Sequence, residues 1–482
     1  MTCCVWSNRP TAFVLAMLIS VAGVPMDGSA QAVGDALAQN DGRGSVTDAR
    51  GAADTLDVTG KLYGGKSSAM DIVKRQQAPR REAAKAVPKT GDWFEDWIKG
   101  PSVLGDWGGY RPMLEDLGVT LSGFSATDLL GNTSGGQRQS FAVANSTLVA
   151  LDIDFEKLVG LPGFLIHAEA WWAGGNNLSG ANRIGNLFNV ATAYTPNGLY
   201  LAQLYAEQKL FDDKFMLQAG RMTTANNFAS LPVSADYVSV ATDALPVSLP
   251  VNTLPFTAPP STQWGSVATV TPIPQIQLTA GVYAANRPSS ELNGTNGTNF
   301  GLDLDRGVMP VGQLAYLREQ HKGDTGLPGT YYLGGFYAGD KYDRLDGGPQ
   351  KDGNYGFYAM GQQMVYREGG PGSSQGLTPW LSVTYQPEQS INLLPVFVAG
   401  GAVYEGLIPG RDTDTTAIAV YYGKLSSDVE DTTGETVLEV NYTFWATPWL
   451  GITPDFQYVF NPSGGSSSND AAVFGGQINF IF

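Results

Sequence analysis

Cysteine and histidine are both scarce in this chain of 482 residues, which has two of each. Cys3 and Cys4 lie in a stretch that resembles a secretory signal peptide, with Arg9, an apolar run over 11–24 and small residues before a cleavage site after Ala30. The mature chain would therefore hold no cysteine, which excludes a disulfide, a thiol nucleophile and a Cys-ligated metal. With two histidines and no His-Glu-x-x-His motif, we expect no enzyme, catalytic residue, metal or cofactor.

Charge and long apolar runs are also in short supply. Charged residues make up 15% of the chain, below the roughly 25% of ordinary soluble domains. The net charge of -16 argues against nucleic acid as a partner. After the signal, no stretch has the roughly twenty apolar residues that a membrane helix needs. A membrane protein of this composition must be a β-barrel, in which polar and apolar residues alternate.

The last twelve residues, 471–482, show that alternation most clearly. Ala472, Phe474, Gly476, Ile478 and Phe480 fall on one face together with the terminal Phe482. A period of two with apolar residues on one side is typical of a strand between lipid and a wetter interior. The alternative is an edge strand of a soluble β-sandwich.

The chain divides into four parts by composition. Residues 1–30 are predicted to be a signal peptide and 31–91 a disordered periplasmic tail, since they have almost no aromatic residues. Residues 92–117 are predicted to be a short helix and a segment leading into the barrel. Residues 118–482 are predicted to form an all-β, transmembrane antiparallel barrel of about sixteen strands.

Turn and loop residues follow the asymmetry of outer-membrane barrels. Short turns at 161–163 and 211–213 are predicted to be periplasmic, and long stretches at 174–197, 287–305, 340–353 and 461–469 extracellular. The proline-rich segment 246–262 cannot be a central strand. It would fold into the lumen as a constriction or lie on the outer surface, and we favour the surface. Asp340, Asp343 and Asp346 lack the spacing of an EF-hand, so a solvated loop is expected there instead of a calcium site.

The stretch Leu104-Gly-Asp-Trp-Gly-Gly-Tyr-Arg111 resembles the opening of the barrel domain in the carbohydrate-selective (OprB-type) porin family, followed by Leu114 and Gly118. Further similar stretches follow in family order at 152–163, 201–221, 356–370 and 435–462. The resemblance covers about residues 92–482. It implies a sixteen-stranded outer-membrane channel that passes sugars, notably glucose. Expected partners are monosaccharides, outer-membrane lipid and lipopolysaccharide, and the barrel-assembly machinery through Phe482, with a homotrimer possible.

A channel for neutral, hydroxylated sugars needs polar hydrogen-bonding groups and aromatic rings along its lumen. Alternation assigns such residues to the inner face, and these are the candidate pore-lining residues: His167, Glu169, Trp171, Gln203, Tyr205, Glu207, Glu439, Asn441, Asp455 and Gln457. Arg221 is a further candidate, although alternation points it outward. Either the strand bulges near Gly220 or Arg221 lies at the strand end, whereas the resemblance favours a place near the narrowest part of the pore.

Two other functions remain open from the residues alone. A general, non-selective diffusion porin would have the same polar lumen. A structural or adhesive barrel would have a lumen plugged by packed apolar or tightly paired charged side chains.

Overall fold

The computed structural model describes residues 90–242, 244–286, 296–320, 325–370 and 373–482. The predicted signal peptide, and the predicted tail up to residue 89, lie outside these residues. No helix in the described part of the chain is long and apolar enough to cross a membrane.

A short helix precedes the barrel, as predicted. Asp92 caps it by accepting hydrogen bonds from the backbone N–H groups of Phe94 and Glu95. Trp97 holds it against the barrel, because its ring lies 4.8 Å from that of Trp449 and its carbonyl accepts the Trp449 indole N–H at 3.2 Å. The α-helices are α1 Trp93–Ile98, α2 Tyr110–Asp116, α3 Phe155–Val159 and α4 Ser248–Asn252. The 3-10 helices are Trp107–Gly109, Thr224–Asn226, Pro232–Asp236 and Pro462–Gly464.

The strands form a closed antiparallel barrel in which each strand pairs with its neighbours in sequence and the last strand pairs with the first. They are β1 Val119–Gly136, β2 Ser140–Asp154, β3 Phe164–Gly175, β4 Gly198–Leu210, β5 Phe215–Met222, β6 Gln263–Ile273, β7 Ile276–Ala284, β8 Val308–Arg318, β9 Gly329–Tyr342, β10 Lys351–Gln363, β11 Tyr366–Arg367, β12 Gly376–Tyr385, β13 Val396–Glu405, β14 Thr415–Lys424, β15 Gly434–Thr447, β16 Leu450–Phe460 and β17 Asn469–Ile481. Because β10 and the two-residue β11 both pair with β12, they occupy one place in the wall. The barrel therefore has sixteen strand positions, as predicted.

The closing strand alternates as its sequence indicates. On β17, Phe474 is half exposed on the outer face, whereas Val473 and Gln477 are buried toward the interior. The register pairs Gln477 with Asp128 of β1, so both side chains lie on the inner face. The period-two pattern thus separates the lipid-facing and lumen-facing residues of this strand correctly.

The two ends of the barrel differ in their connections. The end that carries α1 and the close of β17 also carries short turns, including 211–214 and 274–275. The opposite end carries the long connections 176–197, 223–262 and 285–307. By the asymmetry of outer-membrane barrels, the first end is periplasmic and the second extracellular.

The connection between β5 and β6, residues 223–262, folds into the lumen. Leu249 and Asn252 of this segment are buried, and Asn252 donates to the Leu394 carbonyl at 2.8 Å across the barrel. The connection 176–197 lies beside it, because Thr192 N–H donates to the Val238 carbonyl at 3.0 Å. The preference for an outer-surface position of 246–262 was therefore wrong. A high proline content excludes a strand, but it does not indicate whether the segment lies inside or outside the barrel. The buried residues that the segment contacts on the facing wall show that it lies inside.

Candidate functional site in the barrel lumen

Five of the predicted lumen residues lie together on the inner face of β3 and β4. His167 is central: its Nδ1 lies 2.7 Å from Oδ1 of Asp152 on β2, and its Nε2 lies 3.6 Å from Oε2 of Glu169. Gln203 extends the chain of contacts by donating to Glu169 at 3.1 Å. The side-chain oxygen of Gln203 accepts a hydrogen bond from Asn226 Nδ2 at 2.6 Å, which ties this wall to the start of the connection 223–262. We call the connections 176–197 and 223–262 the inner loops.

Tyr205 and Glu207 are the members of this group that remain partly accessible. The Tyr205 ring packs against that of His167 in a tilted arrangement, with centroids 4.8 Å apart and an interplanar angle of 31°. Glu207 accepts a hydrogen bond from Gln218 of β5 at 2.8 Å and lies 3.5 Å from the ammonium of Lys209. An aromatic ring beside a carboxylate and an amide offers both an apolar face and hydrogen-bonding groups to a solute.

Trp171 lies farther along β3, toward the extracellular end. It is buried in an apolar cluster of the inner wall with Tyr200, which is its register partner on β4. The structure therefore places Trp171 on the inner face, as alternation predicts, but packs it as wall.

The second predicted group, on β15 and β16, lies on the inner face beneath the inner loops. Glu439 accepts four hydrogen bonds: from Val238 N at 2.6 Å, Ser239 N at 3.3 Å, Tyr421 Oη at 2.8 Å and Asn441 Nδ2 at 3.1 Å. A carboxylate has about four lone-pair positions, so this acceptor is fully used by the protein.

The neighbours of Glu439 hold the loops in the same way. Asn441 also donates to the Asp236 carbonyl at 3.0 Å, and Gln457 donates to the Val190 carbonyl and to Asp455 Oδ2, both at 2.8 Å. These side chains are all nearly fully buried. They face the lumen as alternation predicts, but Asn441 and Gln457 bind the inner loops and Asp455 accepts a hydrogen bond from Gln457.

Sequence reasoning missed two carboxylates with the same role. Glu435 on β15 accepts the backbone N–H groups of Leu187 and Phe188 at 2.7 and 2.8 Å, and that of Ser463 at 2.7 Å. Asp128 on β1 accepts from Ala193 N at 2.7 Å. Extending the alternation of β15 back by four residues would have put Glu435 on the same inner face as Glu439.

The structure corrects the pore-lining assignment of Arg221. Arg221 is the penultimate residue of β5, after Gly220 with φ of 145°, and is 2% exposed. Its guanidinium donates to the Gly297 carbonyl and to Thr262 Oγ1 at 3.2 Å. The ring of Phe300 lies 5.3 Å away. Arg221 therefore sits at the strand end and fastens the β7–β8 connection instead of lining the pore.

The acidic residues at the end of β9 and in the turn to β10 each have a partner of their own. Asp340 pairs with Arg306 at 3.2 Å, Asp346 pairs with Arg344, and Asp343 accepts from Gln350 at 2.8 Å. Across the described ranges, no three or more His, Cys, Asp or Glu side chains are arranged to hold a metal ion.

The family model described as "Carbohydrate-selective porin, OprB family" matches residues 138–482, more than half of the chain. This chain belongs to that family. The matched residues begin after the motif at 104–111, so the match depends on the residues of the barrel and not on that motif. Proteins of this family are channels. Membership of the family, together with the β-barrel fold, indicates that the porin lies in the bacterial outer membrane.

The porin is similar to proteins of other bacteria along most of its length. It is 25% identical to "Porin B" of Pseudomonas aeruginosa, over 83% of this chain and 93% of the relative. It is 24% identical to "Putative porin QuiX" of Acinetobacter baylyi, over 80% of this chain and 93% of the relative.

Among solved structures, the "High pH structure of Pseudomonas putida OprB" superposes with a TM-score of 0.71 at 23% identity. It covers 78% of this chain and 97% of that one. At this identity the likeness bears on the fold, and it agrees with the sixteen-position barrel.

Proposed function

We propose that this porin passes small carbohydrates, such as glucose and related monosaccharides, down their gradient across the outer membrane. The observation that carries the proposal is its membership of the carbohydrate-selective family, because the barrel alone is compatible with any small solute. The chemistry of the β3–β4 wall supports it and indicates where a sugar would be held.

A sugar presents hydroxyl groups at its rim and C–H groups on its ring faces. Tyr205 offers a ring to a C–H face, and the partly exposed carboxylate of Glu207, which Gln218 orients, offers acceptors to the hydroxyls. These groups are already oriented by His167 and by each other, so contact with a solute costs little further ordering. Passage requires binding that is favourable enough for entry and weak enough for release, which a few exposed contacts supply.

Substitution of the two accessible residues tests this track. In liposome-swelling assays, Tyr205→Ala and Glu207→Gln should each lower the rate for glucose several-fold while changing the rate for a size-matched amino acid little. Trp171→Phe is the matched control, because Trp171 is buried in the wall and should leave both rates near wild type. Equal rates for glucose in wild type and both track variants would count against the track.

A plugged barrel is the second candidate, and one observation favours it. The inner loops bring apolar side chains into the lumen, among them Phe188, Phe228, Tyr237, Leu249 and Phe256, which are buried against the wall. Such packing was expected for a structural barrel. A folded sample that gives no swelling with any solute would support this candidate over the channel.

The partner and processing predictions stay predictions. They comprise contact with lipid and lipopolysaccharide, recognition of Phe482 by the assembly machinery, a homotrimer, and removal of residues 1–30.

A further inference from the structure

Three buried side chains on the inner face of β15 and β16 each carry an oxygen atom that accepts no hydrogen bond. They belong to Asn441, Asp455 and Gln457, which are 3, 5 and 0% exposed. Among the described residues, no donor contacts Asn441 Oδ1, Asp455 Oδ1 or Gln457 Oε1. We call these three atoms the open oxygens. A buried acceptor without a partner is unfavourable, so three of them in one place point to a ligand that oxygen atoms bind.

The open oxygens belong to neighbouring positions of the sheet. In the register of β15 and β16, Asn441 faces Asp455, and Glu439 faces Gln457. Facing residues on one side of an antiparallel pair have Cβ atoms about 5 Å apart. We call these four residues the β15–β16 cluster.

The two amides of the β15–β16 cluster are held in one orientation. Asn441 Nδ2 donates to the Asp236 carbonyl at 3.0 Å and to Glu439 Oε1 at 3.1 Å. Gln457 Nε2 donates to the Val190 carbonyl and to Asp455 Oδ2, both at 2.8 Å. Turning either amide over would place its oxygen against these acceptors. The amide oxygens are therefore directed away from them and stay available to a ligand.

The β15–β16 cluster also carries negative charge without a balancing cation. In the part of the chain that the structure describes, neither Glu439 nor Asp455 forms an ion pair with a lysine, arginine or histidine. Asp455 is instead repelled by Glu439 and by Asp128 of β1. Buried charges are normally paired or coordinate a metal ion. A water molecule would satisfy open oxygens but leave the charge, whereas a cation would do both.

We propose that the β15–β16 cluster binds a calcium ion through the open oxygens of Asn441, Asp455 and Gln457. Calcium takes carboxylate, amide and water oxygens in an irregular shell, whereas magnesium requires a near-ideal octahedron. Glu439 contributes charge but no ligand, because its own oxygens already accept four hydrogen bonds. The site needs one carboxylate ligand and two amides, which is not a pattern of three acidic residues. This inference goes beyond the proposed transport function and beyond the sequence expectation of no metal.

Calcium at this site would stabilise both inner loops. Gln457 holds the connection 176–197 at Val190, and Asn441 and Glu439 hold the connection 223–262 at residues 236–239. The ion would fix the side chains that make these contacts. Its binding would therefore favour the folded position of the loops inside the lumen.

Heat-dependent gel migration of the folded, detergent-solubilised porin tests the proposal after removal of divalent cations with a chelator. Millimolar calcium chloride should raise the temperature of the mobility shift by several degrees in wild type and much less in Asp455→Asn. Asp346→Asn is the matched control: this carboxylate is paired with Arg344 in an exposed turn, so the variant should respond like wild type.

Hydrogen exchange on the wild-type porin supplies a second readout that does not depend on the folding of a variant. Calcium at roughly ten times its dissociation constant should slow exchange about tenfold at Val238 and Ser239. A mobility-shift temperature and exchange rates that do not respond to calcium would overturn the proposal. So would an equal response in wild type and a folded Asp455→Asn. A shift temperature that depends on pH but not on calcium would also overturn it, because a proton on Asp455 would then take the place of the ion.

Discussion

Glu435 and Glu439 lie four residues apart on β15 and hold two different loops, which allows a paired prediction. Glu435 accepts three backbone N–H groups, including those of Leu187 and Phe188, and Glu439 accepts those of Val238 and Ser239. Replacing one carboxylate by the amide of glutamine should loosen its own loop more than the other.

The magnitude follows from the donors that lose an acceptor. In Glu435→Gln the single amide oxygen can serve two of the three N–H groups. The third is left buried without an acceptor at a cost of about 1–3 kcal/mol, and the other two bonds lose their charge assistance at about 1 kcal/mol each. Together these favour opening of the loop around 187–188 by about 3–5 kcal/mol, which is a factor of at least roughly one hundred in the opening equilibrium.

Amide hydrogen exchange measures this directly in the folded, detergent-solubilised porin. Glu435→Gln should speed exchange at Leu187 and Phe188 by at least about a hundredfold, and Glu439→Gln should act chiefly at Val238 and Ser239. The two loops touch through Thr192 and Val238, so some spread between them is expected. Exchange that is unchanged at each variant's own loop, or that rises uniformly in both variants, would refute the anchoring role.

Three further predictions concern arginines outside the lumen. Arg221→Gln should make the β7–β8 connection more sensitive to limited proteolysis while leaving glucose swelling unchanged; a large loss of swelling would restore Arg221 to the pore. Arg111 donates to the Leu121 and Phe482 carbonyls at 3.1 and 3.0 Å, so Arg111→Ala should destabilise barrel closure by roughly 2–4 kcal/mol and lower the temperature of the gel-mobility shift; an unchanged temperature would contradict this. Burial raises the pKa of Asp414, but its hydrogen bonds from Arg411, Trp445 N and Tyr442 outweigh this and leave the pKa below its ordinary value. Because this pKa is lower in the folded protein than in the unfolded chain, the ionised carboxylate stabilises the turn at pH values above the unfolded pKa of about 3.9. This stabilisation is lost as the pH falls through the pKa of the folded protein. Arg411→Ala should therefore move the loss of Trp445 amide protection to higher pH, and identical protection profiles from pH 3 to 6 would refute it.

The barrel could be predicted from sequence because period-two alternation is a local property. On β17 and on β3, the apolar side of the strand points to lipid and the more polar side points to the lumen. This follows from the pleat of each strand. Counting the alternating segments also predicted about sixteen strands, whereas the class of solute came from the family motifs, because alternation does not supply it.

The roles of individual lumen residues could not be predicted in the same way. Alternation put Glu439 and Glu207 on the inner face alike, yet one holds a loop and the other is partly exposed. The difference depends on where residues 223–262 fold, which is set by partners such as Leu394 and Glu439, far away in sequence. Arg221 shows the same limit, because its position was read from one strand and its partners come from another connection.

The central proposal for this porin is that it prefers carbohydrates. Liposome swelling with the purified wild-type barrel tests it by comparing glucose and larger saccharides with amino acids and anions of matched size. We expect faster swelling with the sugars than with the size-matched solutes. Rates that follow solute size alone, whatever the chemistry, would contradict it.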